Sequence, residues 1–488
     1  MNLKAFFIRY STVRALTAIA LFVCFMIALR TLQDHVTFYQ EQHTLFLFTS
    51  DYFRHTLHYR GLADWLADFV IQFYYIPLLG SAIVAGLLTG VYLLVESIIN
   101  RLTGLRDYLQ LGVVAAIALY FTLDGVDESP RYLVAAFGSL LLVWLLSLLV
   151  TRKRLLGRPT PEKKGWWRPL TAVVLAAVYI IAGLQIEMRG YNRSERAMII
   201  AERAIKQKNW DGAIAVTSKY LFYGHKNRLM IYLRNLALAQ KGELVNRMFD
   251  FPEMVAPEAF AFKWRSDSRD AEYGHWIHEF TGDINAAHQW AFEAMTSWGE
   301  TAPHLLDLAR YNMALGRPAV ARKFASKLEK SLFYRKTARE LLQAIDRGEK
   351  GDLRYAHSGE EPDSLMIKWV NVHDFRPNLM QNYKSDPDNP ITRQYLMASL
   401  LADKELTMLM PMLTPEDMNS TIINQAVLIY NLNPNLPDSP LELRKEVTDQ
   451  FARYMDAIRK PTGGRLVKEH FGTTYWYYVH SIKPGPTR

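Results

Sequence analysis

Every apolar run long enough to cross a bilayer lies before residue 188, and the 300 residues after it contain none. A hydrocarbon core of about 30 Å asks for roughly 20 helical residues, and shorter runs can borrow from interfacial aromatics or snorkelling arginines. Five runs qualify on that basis: 15–29, 76–98, 109–123, 132–150 and 169–187. The chain is therefore expected to be a membrane domain over 1–190 carrying one large water-soluble region. At 488 residues it exceeds a single ordinary core, so more than one unit is expected. Cys24 is the one cysteine, which rules out intrachain disulfides and cysteine-based metal sites. The net charge of +9 is spread rather than gathered into aromatic-studded basic blocks, so nucleic acid is not an expected partner.

Lysine and arginine in short loops set the orientation. The loop before the last run carries Arg152, Lys153, Arg154, Arg158, Lys163, Lys164 and Arg168 against the single acid Glu162. That composition places it in the cytoplasm. Lys4, Arg9 and Arg14 do the same for the N-terminal end, as do Arg101 and Arg106 for the second-to-third loop. The acidic stretch Asp124 to Arg131 reads as outside. The first run resembles a signal peptide but lacks a small-residue cleavage site, and reads as an uncleaved anchor. Five crossings then export everything after Tyr191, which in a two-membrane bacterium means the periplasm. Trp65, Tyr74, Tyr75, Trp166 and Trp167 sit where interfacial aromatics belong, and Gly61–Tyr75 reads as an amphipathic surface segment. Glu96 falls near the cytoplasmic end of the second run and is expected to snorkel to the interface.

From Ser194 onward apolar residues recur at three and four spacing, the pattern of helix after helix. Gly282 and Gly316 lie 34 residues apart, and each is followed five residues later by an alanine, Ala287 or Ala321. With Gly242 upstream, this spacing resembles the tetratricopeptide repeat, in which a turn glycine joins two helices packed through small residues. The expected fold is all-α: a five-helix transmembrane bundle followed by an extracytoplasmic α-solenoid of tetratricopeptide-like pairs. Repeats are expected over 191–350, a linker or long loop over 351–388, and further helical pairs with an aromatic cap over 389–488. Solenoids present a concave groove lined by the first helix of each pair. Here that lining comprises Glu272, His275, His304, Asp307, Arg310 and Tyr311, a mixture suited to an extended peptide or partner helix.

Candidate chemistry concentrates in the first outside loop, which holds four of the chain's 13 histidines. Asp51, His55 and His58 share one face of a helix and could hold a metal, or could be ordinary interfacial side chains. Asp34 and Glu41 follow the first run closely, as acids do in membrane glycosyltransferases that use lipid-linked sugars. There they would act as base or metal ligand beside a lipid phosphate. In the soluble half one Glu272-x-x-His275 motif stands alone, where a di-metal bundle needs two. No Gly-rich phosphate loop, nucleophile elbow or zinc-protease motif is present, and no cofactor is called for.

The chain also resembles a family of uncharacterised multi-pass bacterial membrane proteins. The resemblance rests on Glu41–Phe48, on Leu221–Leu244, on Ser297–Phe324 and on the Tyr475-Trp476-Tyr477-Tyr478 tail. It implies the architecture and no activity. The expected partners are the lipid bilayer and another envelope protein, bound by the helical domain as a scaffold in secretion, transport or envelope assembly. A membrane enzyme using Asp34 and Glu41 is the rival expectation.

Overall fold

The computed structural model describes residues 10–150, 167–190, 192–256, 259–263, 268–356, 375–459 and 463–482. Lys4, Arg9, Trp166, Tyr191, most of the basic loop before the last run, and the stretch from His357 to Asp363 lie outside them. Within the described residues every regular element is a helix. The chain divides into two compact units. The first comprises Met1–Arg196, Glu300–Leu306 and Phe324–Gln343; the second comprises Ala197–Gly299, Asp307–Lys323 and Ala344–Arg488.

The first unit contains α1 (Tyr10–Thr31), α2 (Asp34–His43), α3 (Ser50–Tyr59), α4 (Leu62–Ile71), α5 (Pro77–Thr103), α6 (Leu111–Phe121), α7 (Arg131–Val150) and α8 (Trp167–Gly190). Among the described residues, four helices are long and apolar enough to cross a membrane: Tyr10–Thr31, Pro77–Thr103, Arg131–Leu148 and Arg168–Gly190. The expected third span is instead the short α6, 11 residues and so about 16 Å long. Asp107 explains the late start. Its carboxylate accepts from the backbone N–H groups of Leu111 and Gly112, each at 3.0 Å, and so caps the helix there. The two ends of this segment nevertheless lie far apart along α1. Tyr108 meets Tyr10 edge-on at 5.2 Å, and Tyr120 stacks on Phe25 at 5.6 Å.

Helix α5 is the centre of this bundle, with α1, α6 and α7 packed against it. Val84, Ala85, Leu88, Val91 and Tyr92 are wholly buried there. Gly112 is required at the α5–α6 crossing, because a Cβ would stand 2.8 Å from the Tyr92 carbonyl oxygen. Glu96 does not snorkel outward as expected. It is 2 % exposed and pairs at 2.8 Å with Arg14 of α1, whose side chain is partly exposed. A carboxylate this buried must find a partner, and Arg14 brings the charge to it.

The rest of the chain forms α9 (Arg193–Lys206), α10 (Trp210–Phe222), α11 (Arg228–Gln240), α12 (Leu244–Arg247), α13 (Ser268–Phe280), α14 (Ile284–Trp298), α15 (Ala302–Ala314), α16 (Pro318–Leu328) and α17 (Arg335–Asp346). Then follow α18 (Phe375–Ser385), α19 (Pro390–Ala402), α20 (Leu406–Leu409), α21 (Thr421–Asn431), α22 (Lys445–Arg459), α23 (Gly463–Phe471) and α24 (Tyr475–Ser481). One turn recurs at residues 208, 242, 282, 316, 348 and 404, each in the left-handed region with φ between +55° and +79°. Each of these residues gives its N–H to the carbonyl three back, and the next residue gives its N–H to the carbonyl five back, at 2.8–3.2 Å. That pair of bonds is the Schellman closure, which satisfies the last carbonyls of the first helix. The three-residue turn joins α9 to α10, α11 to α12, α13 to α14, α15 to α16 and α19 to α20. Lys208 stands 34 residues before Gly242, so the period begins one turn earlier than the glycines reveal.

One feature of the second unit differs from expectation. The segment 351–388 is not simply a linker, because α18 occupies Phe375–Ser385 and packs on α19 with Leu379 fully buried. The aromatic tail forms α24 and closes the end of α19. Tyr475 and Tyr478 donate their hydroxyls to the carbonyls of Leu401 and Ala402, at 3.2 and 2.7 Å. In return the Lys404 ammonium donates to the carbonyls of Val479 and Ile482.

Candidate functional site

The polar residues following α1 are tied down by partners distant in sequence. Asp34 opens α2 and accepts from the Arg196 guanidinium, Nε at 3.2 Å and Nη2 at 3.1 Å. His35 beside it is buried, with its ring nitrogens 3.9 Å from Asp34 and from Glu195. Burial, with the Arg196 charge in the same direction, pushes the His35 imidazole down to about 4, against the pull of Asp34. At the other end of α2, buried Glu41 accepts from the Tyr334 hydroxyl at 2.5 Å and from the Gln42 amide at 2.6 Å. The Tyr334 phenol is held well above its usual range by burial and then by the Glu41 charge. The same contact continues next door. Phe48 donates its N–H to the Lys330 carbonyl at 3.0 Å, and Tyr75 stacks on Phe333 at 5.1 Å. Asp34 and Glu41 thus hold segments of the first unit together.

Between these anchors, α3 and α4 form a hairpin around a second buried acid. Asp68 accepts from Arg60 at 2.8 Å and from the Tyr52 hydroxyl at 2.7 Å. Burial still raises its carboxyl above the ordinary range. Phe46 fills the centre of the hairpin, ringed by Phe48, Tyr52, Trp65 and Phe69 at 5.0–5.4 Å. Asp51, His55 and His58 lie on the exposed face of α3, and the two histidines rest against Tyr59. Among the described residues, no group of three or more His, Cys, Asp or Glu side chains is gathered to hold a metal.

A further polar cluster went unanticipated. Glu187, in the last turn of α8, is buried and accepts on Oε1 from Gln33 at 3.2 Å and from Tyr120 at 3.1 Å. The available signal was a carboxylate inside an apolar run, the same one that singled out Glu96. Tyr52, Asp68, Arg196 and Tyr334 were also missed, and no local pattern marks them.

Five of the six groove residues fall in the second unit, where they belong to a buried network. Tyr311 donates its hydroxyl to Glu279 at 2.6 Å and lies 2.8 Å from His275 Nδ1. With the phenol proton given to Glu279, His275 donates its Nδ1–H to the Tyr311 oxygen. Arg310 stands 3.5 Å from both Glu279 and Asp307. Its charge is favoured by these acids, although burial opposes it. Nearby, Glu202 pairs with Lys206 at 2.8 Å and accepts from the Tyr273 hydroxyl at 3.0 Å. His304 is also buried, and belongs to the first unit.

The expected open groove is therefore corrected. Glu272, His275, His304 and Tyr311 are buried, and Asp307 and Arg310 are half-buried. The cause is visible along the first helices: α11 is buried from Met230 to Ala239, and α13 from Asp270 to His278. Helices covered on all sides present no face to a partner. The network can share protons and fix side chains, and it ties α13 to α15.

Two overlapping segments, residues 9–186 and 158–482, match the model of a protein family described as of unknown function. None of the curated proteins and none of the solved structures compared with the chain matches it.

Proposed function

This chain belongs to the family of unknown function DUF6057, and from its own geometry we propose an inner-membrane protein whose exported, tetratricopeptide-like helix pairs dock another envelope protein. The observation that carries the proposal is the recurrent Schellman turn, which joins successive helix pairs by one geometry. Stacked pairs of this kind make extended surfaces suited to recognition. Export is supported by the charges of the loops, basic around Arg101 and Arg106 and acidic from Asp124 to Glu128. A fifth crossing is supported by the contacts of Tyr108 and Tyr120 near opposite ends of α1. It would be made by the segment 106–121, part helix and part capped turn.

Since α11 and α13 are covered, the docking surface falls to the second helices. Phe292 on α14 is 45 % exposed, and Trp298 and Val320 are exposed as well. Aromatic anchors of this kind dominate the energetics of interfaces. The test is a photo-crosslinking amino acid placed at Phe292 or Val320 in living cells. One discrete protein adduct, the same from both positions and lost with Trp298→Asp, is expected. Failure of either position to trap protein would overturn the docking role.

A further inference from the structure

We infer that the last turn of α10 and the loop that follows it, residues 219–226, rest on the surface of an anionic lipid bilayer. The inference depends on the membrane anchoring proposed above. Phe222 is 79 % exposed and Tyr223 68 %. Phe222 is more exposed than any other large apolar side chain among the described residues, those of the four long apolar helices included. Exposed Lys219, His225 and Lys226 flank the two rings. Lys226 is 74 % exposed and stands 3.9 Å from Glu253, a loose pairing that leaves its head in solvent. Aromatic rings among basic side chains are the composition of a bilayer interface, where the rings enter the headgroup layer and the cations meet lipid phosphates.

Chain connectivity says which surface is within reach. Asn227 caps α11 by accepting from the Met230 N–H, and its amide lies 3.4 Å from the Met198 sulfur. The base of the loop is thereby fixed beside the start of α9. Met198 follows Gly190, the last residue of the final apolar helix, by eight residues. Three of those steps extended and five helical reach no more than about 20 Å. The base of the loop is thus tethered within about 20 Å of the end of the final apolar helix, and the aromatic tip lies at most five residues from that base. A free protein partner has no such tether, and lipid is the occupant that both position and charge select.

The test uses the full-length chain with Cys24→Ser, in nanodiscs containing phosphatidylglycerol. A nitrobenzoxadiazole label is placed in turn on Tyr223→Cys, Ile181→Cys and Arg347→Cys, and quenching by headgroup-proximal and acyl-chain doxyl lipids is read. The label at 223 should emit to the blue of the label at 347 and lose about half its emission to the headgroup-proximal quencher. Phe222→Ser should reduce that loss, and so should replacing the anionic lipid with a zwitterionic one. A label at 223 as water-like as that at 347, while the label at 181 is quenched, overturns the proposal and leaves the membrane anchor standing. Shielding at 223 without lipid quenching also overturns it, in favour of a protein contact or a second copy. An unquenched label at 181 overturns the anchoring on which the inference depends.

Discussion

Glu41 and Tyr334 lie 293 residues apart and share a hydrogen bond inside the first unit. A hydrogen bond to a charged group contributes roughly 1.5–3 kcal/mol, and leaving the partner unsatisfied costs more than removing both. Glu41→Gln and Tyr334→Phe should therefore each lower thermal stability, with the double variant losing less than the sum. An additive pair, or a functional loss from Glu41→Gln alone at full stability, would instead mark Glu41 as a working acid. His35 gives a pH dependence of definite sign. Its folded value, about 4, is below the unfolded value near 6.5, so the unfolded chain binds the extra proton first. Stability from this group is complete above about pH 6.5, declines as the pH falls towards 4, and levels off below. The loss is at most about 3 kcal/mol. His35→Gln should flatten melting temperature against pH across that window, and an unchanged slope would remove His35 from the account. The sequence marked Asp34 and Glu41 as notable acids, but Arg196 is 162 residues from Asp34 and nothing local points to it.

Helix pairs were legible because glycine announces the left-handed turn at 242, 282 and 316. Lys208 and Lys404 make the same turn without a compositional sign, so these two occurrences of it were hidden. Apolar periodicity marked the helices but not their burial on every side, which is why the groove expectation failed. The turns can be tested by substitution. A Cβ in the left-handed region costs roughly 1–2 kcal/mol. At Gly282 it would also stand 3.1 Å from the Ala356 backbone nitrogen, while at Gly316 nothing lies within 4 Å. Gly282→Ala should therefore lower the melting temperature more than Gly316→Ala, and Lys208→Gly should raise it. Equal effects at 282 and 316 would contradict the packing, and a destabilising Lys208→Gly would contradict the shared turn.

For the whole molecule the decisive question is the number of crossings, because parity sets where residues 192–482 reside. Among the described residues four helices have full spanning length, and the proposed fifth crossing depends on the short α6 with its capped entry at Asp107. The loop charges were legible from sequence. The shortness of α6 was not, since hydropathy extends through Leu109 and Leu123 beyond the helix itself. The most direct measurement labels single cysteines at Asp127, Thr160 and Arg347, in a Cys24→Ser background, with a membrane-impermeant maleimide on cells with permeabilised outer membranes. Five crossings should expose 127 and 347 and protect 160 until the inner membrane is lysed. Protection of 347 together with 160 would place the helix-pair domain in the cytoplasm and contradict the exported scaffold.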